Sequence, residues 1–155
     1  MDNPFMARAI QLSIENVNSG RGGPFGAVVV KDGTIIAEAA NQVTSTNDPT
    51  AHAEVLAIRE ACKKLGVFDL DRCEIYTSCE PCPMCLGAIY WARLSCVFFA
   101  NADADASKIG FDDSLIYSEI ARPHSERKIP MIQIMREEAL AAFRAWENKP
   151  NKITY

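Results

Sequence analysis

Three cysteines recur at every third position near the middle of the chain. Cys79, Cys82 and Cys85 lie within "YTSCEPCPMCLGAIYWAR", residues 76–93, and a proline stands in each of the two gaps between them. Thiols at this spacing can form disulfides, close a structural metal site, or contribute to an open, catalytic metal site. The rest of the sequence has to decide between these three alternatives.

The composition of the chain argues against disulfides. No apolar run reaches the ~18 residues of a membrane span, and the first residues, "MDNPFMARAIQ", lack the basic start and apolar core of a signal peptide. We therefore expect a cytoplasmic protein with no membrane partner, and disulfides are rare in that compartment. The net charge is −4 and the basic residues are dispersed, so we expect a small-molecule substrate and no nucleic acid.

The hydrophobic pattern predicts a single domain, residues 1–155, with an α/β fold. No repeat or long linker divides the chain, and its length suits one core. Apolar residues have helical spacing over residues 4–19, and two apolar runs joined at Asp32-Gly33 predict a β-hairpin. Helices and strands then alternate, which indicates a mixed sheet of five strands. The predicted fifth strand is "IPMIQIM", residues 129–135, and a helix at "EEALAAFRAWEN" follows it.

A second motif supplies a further metal ligand. Cys82 and Cys85 form a C-x2-C pair at a predicted helix start, a spacing that suits two corners of a zinc tetrahedron. His52 and Glu54 form an H-A-E motif at the start of an earlier predicted helix, residues 51–64. H-x-E followed by P-C-x-x-C is the signature of zinc deaminases. We therefore predict one Zn²⁺ per chain, held by His52, Cys82 and Cys85, with a fourth position left for water.

A closed, purely structural site is the alternative to this open one. Cys79 could complete such a site with the other three ligands and leave no position for water. The protein would then be a noncatalytic zinc-stabilised module that releases ammonia from no substrate. In a closed site Glu54 has no role, whereas beside an open site its carboxylate can take a proton from water and return it to a substrate. This argument favours the open site, with Glu54 as the catalytic proton carrier.

The motifs resemble those of the cytidine-deaminase-like superfamily and, within it, those of the guanine deaminases. "GGPFGAVVVKDG", "NDPTAHAEVLAIREACKKLG", "YTSCEPCPMCLGAIYWAR" and "GFDDSLIY" carry the resemblance, which extends from the first helix to Tyr155. It implies a three-layer α/β/α sandwich around a five-stranded mixed sheet, a homodimer, and hydrolysis of guanine to xanthine and ammonia. The first three motifs would also suit guanosine, tRNA adenosine or cytosine deaminases. "GFDD" at residues 110–113 and the aromatic terminus favour the guanine branch.

The resemblance also assigns residues to substrate binding and proton transfer. It implies that Asn41 reads the purine edge, that Phe25 stacks on the flat base, and that Asp113 is a second proton carrier. Asn41 could instead form a turn and Phe25 could pack in the core. We also predict that Trp91 contacts the substrate, although its position in the sequence suits a core residue. Tyr155 is expected to close the site in a dimer that exchanges C-terminal tails; a frayed tail is the alternative.

Overall fold

The computed structural model describes residues 2–155, which contain four β-strands and seven α-helices. This content confirms the predicted α/β class. In chain order the elements are α1 (Pro4–Asn18), β1 (Gly26–Lys31), β2 (Thr34–Ala40), α2 (Val43–Thr46), α3 (Ala53–Leu65), β3 (Cys73–Cys79), α4 (Pro83–Trp91), β4 (Cys96–Asn101), α5 (Asp103–Lys108), α6 (Ser114–Ala121) and α7 (Arg136–Glu147).

The four strands form one mixed sheet in the order β2-β1-β3-β4. Strand β1 pairs antiparallel with both β2 and β3, whereas β3 and β4 are parallel. The turn between β1 and β2 lies at Asp32 and Gly33, whose φ angles of 48° and 72° are those a two-residue hairpin turn requires. This turn confirms the predicted hairpin. The strand order places β2 and β4 at the edges of the sheet.

Alternate residues of the central strands pack against helices on opposite faces of the sheet. On one face, Val28 and Val30 of β1 pack with Ala9 of α1. On the other face, Ala27 and Val29 belong to a buried cluster that includes residues of α3. Helices therefore cover both faces of the sheet in this region, and the N-terminus of α3 is held firmly against it.

The predicted fifth strand is wrong. Residues 129–135 form neither strand nor helix, and their apolar side chains are exposed; Ile132, for example, is 81% exposed. A strand needs a neighbour to satisfy its backbone N–H and C=O groups, and no described strand pairs with this segment. Pro130 lacks an N–H, and Met135 has a φ of 52°, which interrupts the extended backbone before α7. The sheet of this chain therefore has four strands, not five.

The chain divides into two compact units. The first ends at Asp113 and contains the sheet with α1 to α5, and the second, Ser114–Tyr155, contains α6 and α7. The single-domain organisation over residues 1–155 stays a prediction. Among the described residues, no helix combines the length and the hydropathy that a membrane span requires.

Candidate active site

The first part of the site is the connection that leads into α3. The Asp48 carboxylate accepts hydrogen bonds from the Thr50 backbone N–H at 2.8 Å and from the Thr50 hydroxyl at 2.7 Å, a turn that fixes the approach to His52. The His52 carbonyl accepts the first helical hydrogen bond, from Leu56 at 3.0 Å. His52 is therefore the N-cap of α3, one position before the helix begins, and its ring lies at the positive end of the helix dipole.

The second part of the site is the start of α4. Cys82 is the N-cap of this helix, and Pro83 is its first residue. Proline suits that position because its φ is already helical and the first helical N–H groups have no partner within the helix. Cys85 follows in the first turn and is completely buried. The two thiols are thereby held together at one helix end by local structure alone.

The three predicted metal ligands converge. The Nδ1 atom of His52 lies 3.6 Å from the Sγ atom of Cys82 and 3.4 Å from that of Cys85. All three ligand atoms lie within 4.8 Å of one another. Zinc–sulfur and zinc–nitrogen bonds in a tetrahedral site would place the sulfur and nitrogen atoms roughly 3.6 Å apart. The residues fit one zinc ion, and Nδ1 is the imidazole atom turned towards the thiols.

The charge state of the thiols also suits a metal. The pKa of Cys82 is lowered to about 4, first because the Cys85 thiol donates a hydrogen bond to it. The same hydrogen bond raises the pKa of Cys85. The pKa of His52 is raised, first through its hydrogen bond with Cys82. The pair therefore offers a thiolate at neutral pH, and thiolate is the form of cysteine that binds zinc.

Cys79 lies in a different environment from the other two cysteines of the motif. It ends β3, and its thiol points to the Ala102 carbonyl oxygen at 3.9 Å. Burial raises the pKa of Cys79 to about 11, so the thiol is protonated at neutral pH. Within residues 2–155, the group that could hold a metal consists of His52, Cys82 and Cys85. This arrangement favours the open, three-ligand site over the closed one.

Glu54 is buried beside the thiols and is only 5% exposed. Its Oε2 atom lies 3.5 Å from the Cys85 Sγ atom, and its Oε1 atom accepts a hydrogen bond from the Thr77 hydroxyl at 3.3 Å. Burial raises the pKa of Glu54. A carboxyl group whose pKa is raised towards neutrality can both accept and return a proton. Thr77 is not identifiable from the sequence, because the alternating pattern of a strand does not show which distant side chain each of its residues will contact.

Asn41 is buried just after β2 and is held by backbone groups. Its Oδ1 atom accepts hydrogen bonds from the Gly23 N–H at 3.3 Å and the Val43 N–H at 3.2 Å. The next residue, Gln42, donates its N–H to the Ala51 carbonyl at 2.9 Å. Ala51 immediately precedes the first metal ligand, so Asn41 is connected to the metal-binding loop. Asn41 therefore forms a turn, its neighbour Gln42 joins that turn to the loop before His52, and the role of Asn41 in reading the purine edge stays a prediction.

Phe25 lies next to Asn41: its carbonyl oxygen accepts a hydrogen bond from the Asn41 N–H at 3.0 Å. Its ring is half-buried against the cluster beneath α3 and meets Phe111 edge-on, with the ring centroids 4.9 Å apart. Phe111 belongs to the "GFDD" segment that the sequence analysis singled out. Phe25 is therefore partly a core residue, and its assignment to base stacking stays a prediction.

Asp113 lies beside a second carboxyl group, that of Asp103, which no sequence motif indicates. Its pKa is raised to about 6, first by burial and then by the Asp103 carboxyl group within hydrogen-bonding reach, and Cys82 adds to the effect. The Oδ1 atom of Asp113 is buried and has no hydrogen-bond partner among the described residues. A carboxyl group in this state can hold a proton close to neutral pH.

Two further predicted substrate contacts, Trp91 and Tyr155, are exposed. Trp91 is the last residue of α4 and is 70% exposed. The helix has nine residues, so Trp91 lies about 12 Å along the axis from the end that carries Cys82. Tyr155 ends the second unit and is 72% exposed. The roles of both residues in substrate binding stay predictions.

Comparison with known proteins agrees with this geometry. Residues 1–101 match the family described as the cytidine and deoxycytidylate deaminase zinc-binding region. A guanine deaminase of Bacillus subtilis (strain 168) is 62% identical over 151 residues, 97% of each chain. A tRNA-specific adenosine deaminase of Aquifex aeolicus is 49% identical over 80 residues, 52% of this chain and 53% of that protein.

A solved structure gives the same result for the fold. The X-ray structure of guanine deaminase from Bacillus subtilis has a TM-score of 0.96 and 60% sequence identity, and the match covers 100% of this chain and 99% of that one. Together with the converging His-Cys-Cys group, these similarities show that the chain belongs to the cytidine and deoxycytidylate deaminase zinc-binding family.

Proposed function

We propose that the protein is a zinc-dependent guanine deaminase, which hydrolyses guanine to xanthine and ammonia. The observation that carries the proposal is the length of the similarity. The likeness to a guanine deaminase covers 97% of the chain, whereas the likeness to a tRNA-specific adenosine deaminase covers 52%. The match to the guanine deaminase therefore extends well beyond the zinc-binding region, which ends at residue 101.

His52, Cys82 and Cys85 would hold the zinc ion. When bound, zinc acts as a Lewis acid and lowers the pKa of water towards neutrality. Glu54 accepts a proton at Oε2 from the nucleophilic water and returns it to the ring nitrogen next to the carbon that loses its amino group. Thr77 holds the other oxygen of the carboxylate, so the proton-carrying oxygen keeps one orientation.

Asn41, Phe25 and Asp113 complete the proposed site around the base. Asp113 delivers the second proton to the amino group, which leaves as ammonia, and the proton that the added hydroxyl group loses as it becomes the xanthine carbonyl restores the Asp113 carboxyl group. Asn41 binds the polar edge of the purine, and Phe25 provides a flat apolar surface. These roles agree with the placement of Asn41 next to the metal-binding loop and with the raised pKa of Asp113.

Ammonia release from a panel of substrates tests the function. Guanine should be the preferred substrate over guanosine, adenine, cytosine and a tRNA anticodon stem. Guanosine is the closest rival, because it presents the same base edge and differs only in the ribose. Preferential release from the anticodon stem would replace the proposal with tRNA editing, and release from no substrate would leave only a zinc-stabilised module.

We further propose that the protein is a cytoplasmic homodimer in which the C-terminal tails are exchanged. Strand β4 is an edge of the sheet, and Phe98 and Phe99 on it are 39% and 48% exposed. Residues 129–135 expose several large apolar side chains as well. Exposed apolar side chains of this kind commonly mark a protein interface. All six cysteines are free thiols, which suits a reducing compartment.

Removal of the last five residues tests the role of the tail. If Tyr155 closes the partner's site, deletion of residues 151–155 should preserve zinc content and sharply reduce guanine turnover. The turnover of Tyr155→Phe should lie between those of the truncated protein and the wild type, since this variant loses only the hydroxyl. Light scattering should give the mass of a dimer. Unchanged kinetics in the truncated protein would show that the tail is not part of the site.

A further inference from the structure

Asn16, near the end of α1, is a buried polar residue that the proposed mechanism does not use. It is 2% exposed, and its Nδ2 group donates hydrogen bonds to the Asn41 carbonyl at 2.8 Å and to the Gly23 carbonyl at 2.9 Å. Both hydrogens of the amino group are therefore used, and two acceptors fix the orientation of the amide. Asn16 joins the segment before β1 to the segment after β2.

Asn41 makes the complementary set of contacts. Its side-chain oxygen accepts from the backbone N–H groups of Gly23 and Val43. A carbonyl oxygen has two lone pairs, so these two bonds use its accepting capacity. Both of these hydrogen bonds are made by Oδ1, and neither uses the Asn41 Nδ2 group. Asn41 is therefore available to a ligand as a hydrogen-bond donor and not as an acceptor.

Close backbone packing supports this arrangement at Gly22. A Cβ atom at this position would lie 2.2 Å from the Asn41 carbonyl oxygen and 2.9 Å from the Asn16 Nδ2 atom. The first distance is far inside van der Waals contact, and the atom that it meets is backbone. A side chain at residue 22 would therefore push the Asn16–Asn41 contact apart. We call the contacts of Asn16 and Asn41 with residues 22–25 and 41–43 the asparagine clamp.

We propose that Asn16 is a positioning residue for substrate selection: through the asparagine clamp it holds Asn41 so that only its amino group faces the base. The proposal rests on the proposed function and deepens it. A donor at this point selects a base edge that presents an acceptor, such as a carbonyl oxygen or an unprotonated ring nitrogen. An edge that presents an amino group or a ring N–H would meet a like donor, which leaves both groups without a hydrogen bond.

The clamp is tested by comparing Asn16→Ala with Ser13→Ala. Ser13 is a second buried polar residue on α1, but its hydroxyl bonds within the helix, to the Ile10 carbonyl at 2.7 Å. Asn16→Ala should lower hydrogen-exchange protection in residues 22–25 and 41–43 and leave the zinc content unchanged. Its KM for guanine should rise about tenfold while kcat changes less than about threefold, since one buried set of hydrogen bonds is lost. Ser13→Ala should show none of these changes.

A double-mutant cycle separates positioning from a merely structural role. If Asn16 acts through Asn41, Asn16→Ala should have little further effect on KM in an Asn41→Ala background. Three results would each overturn the proposal: additive effects of the two substitutions on KM, unchanged hydrogen-exchange protection in Asn16→Ala, or a parallel loss of zinc and kcat in that variant. Gly22→Ala should reproduce the KM effect and replaces Asn16→Ala if that variant does not fold. If the wild type releases no ammonia from guanine, the proposed function fails, and the exchange comparison still decides whether the clamp exists.

Discussion

The metal-binding region and the base-reading region of the site are built by different means. The three predicted metal ligands lie at the starts of two helices, where the local backbone positions them. His52 and Cys82 are the N-caps of α3 and α4, and Cys85 lies in the first turn of α4. Short-range structure is sufficient to place each of these side chains.

The base-reading region depends on contacts between distant parts of the chain. Asn41 is held by the Gly23 N–H and by Asn16, residues that are 18 and 25 positions away in sequence. Asp113 obtains its raised pKa from burial and from Asp103 on a different element. Neither arrangement is visible in a short motif, because each needs the fold to bring its partners together.

The difference suggests which part of the site is common and which is selective. The family match covers residues 1–101, a range that contains the predicted metal ligands, Glu54 and also Asn41, whereas Asp113 lies beyond it. A tRNA-specific adenosine deaminase and a guanine deaminase both resemble this chain, but the first match covers 52% of the chain and the second covers 97%. We therefore expect changes in the metal-binding region to abolish all activity and changes in the base-reading region to alter selection.

The largest effect is expected from Cys85→Ser. A serine hydroxyl is not ionised at neutral pH and replaces a thiolate ligand poorly, so the variant should lose zinc and all ammonia release. Metal analysis of the purified protein and the ammonia assay measure both losses. Cys79→Ser is the matched control, since the Cys79 thiol faces a carbonyl oxygen instead of the ligands. A Cys79 variant that lost zinc as completely as the Cys85 variant would contradict the ligand assignment.

The sequence predicted the metal-binding region because its information is local. A C-x2-C pair, an H-A-E motif and a proline at a helix start define ligand types and spacing without reference to the rest of the chain. The same holds for the hairpin, whose Asp32-Gly33 turn requires two positive φ angles that this dipeptide readily adopts. The imidazole atom that faces the thiols was not predictable, since it depends on the position of α4 relative to α3.

Long-range contacts explain what the sequence did not predict. The alternating pattern of residues 129–135 has the period of a strand, but a strand also needs a partner, and periodicity does not supply one. Thr77, Asn16 and Asp103 belong to ordinary strand and helix patterns. Their importance follows from contacts with Glu54, Asn41 and Asp113, and only the fold reveals those contacts.

Glu54→Gln should have the second largest effect, and it separates chemistry from metal binding. Glutamine keeps the shape of the side chain and can still accept from Thr77, but it cannot carry a proton. Turnover should fall by roughly 10²-fold or more while the zinc content is unchanged. Thr77→Val should cost far less, because it removes one hydrogen bond of 3.3 Å and leaves the carboxylate in place. Equal losses in the two variants would mean that Glu54 serves the structure and not the proton transfer.

The smallest effect concerns Asp113 and the dependence of stability on pH. The pKa of Asp113 is raised from an ordinary value of 3.8 to about 6, so between these values the folded protein binds more protons at this group than the unfolded chain does. The contribution of Asp113 to stability must therefore fall as the pH rises through this window, and Asp113→Asn should remove that decline.

Asp105→Asn is the control: Asp105 pairs with Lys108 at 3.0 Å and its pKa is lowered, so its contribution to stability is lost only under more acidic conditions. Thermal unfolding of the zinc-loaded proteins between about pH 5 and about pH 7 should show a difference between wild type and Asp113→Asn that changes with pH, and a constant difference for Asp105→Asn. Parallel curves for the wild type and Asp113→Asn would show that the carboxyl group is not held in a proton-retaining environment, and its proposed role as the second proton carrier would lose its physical basis.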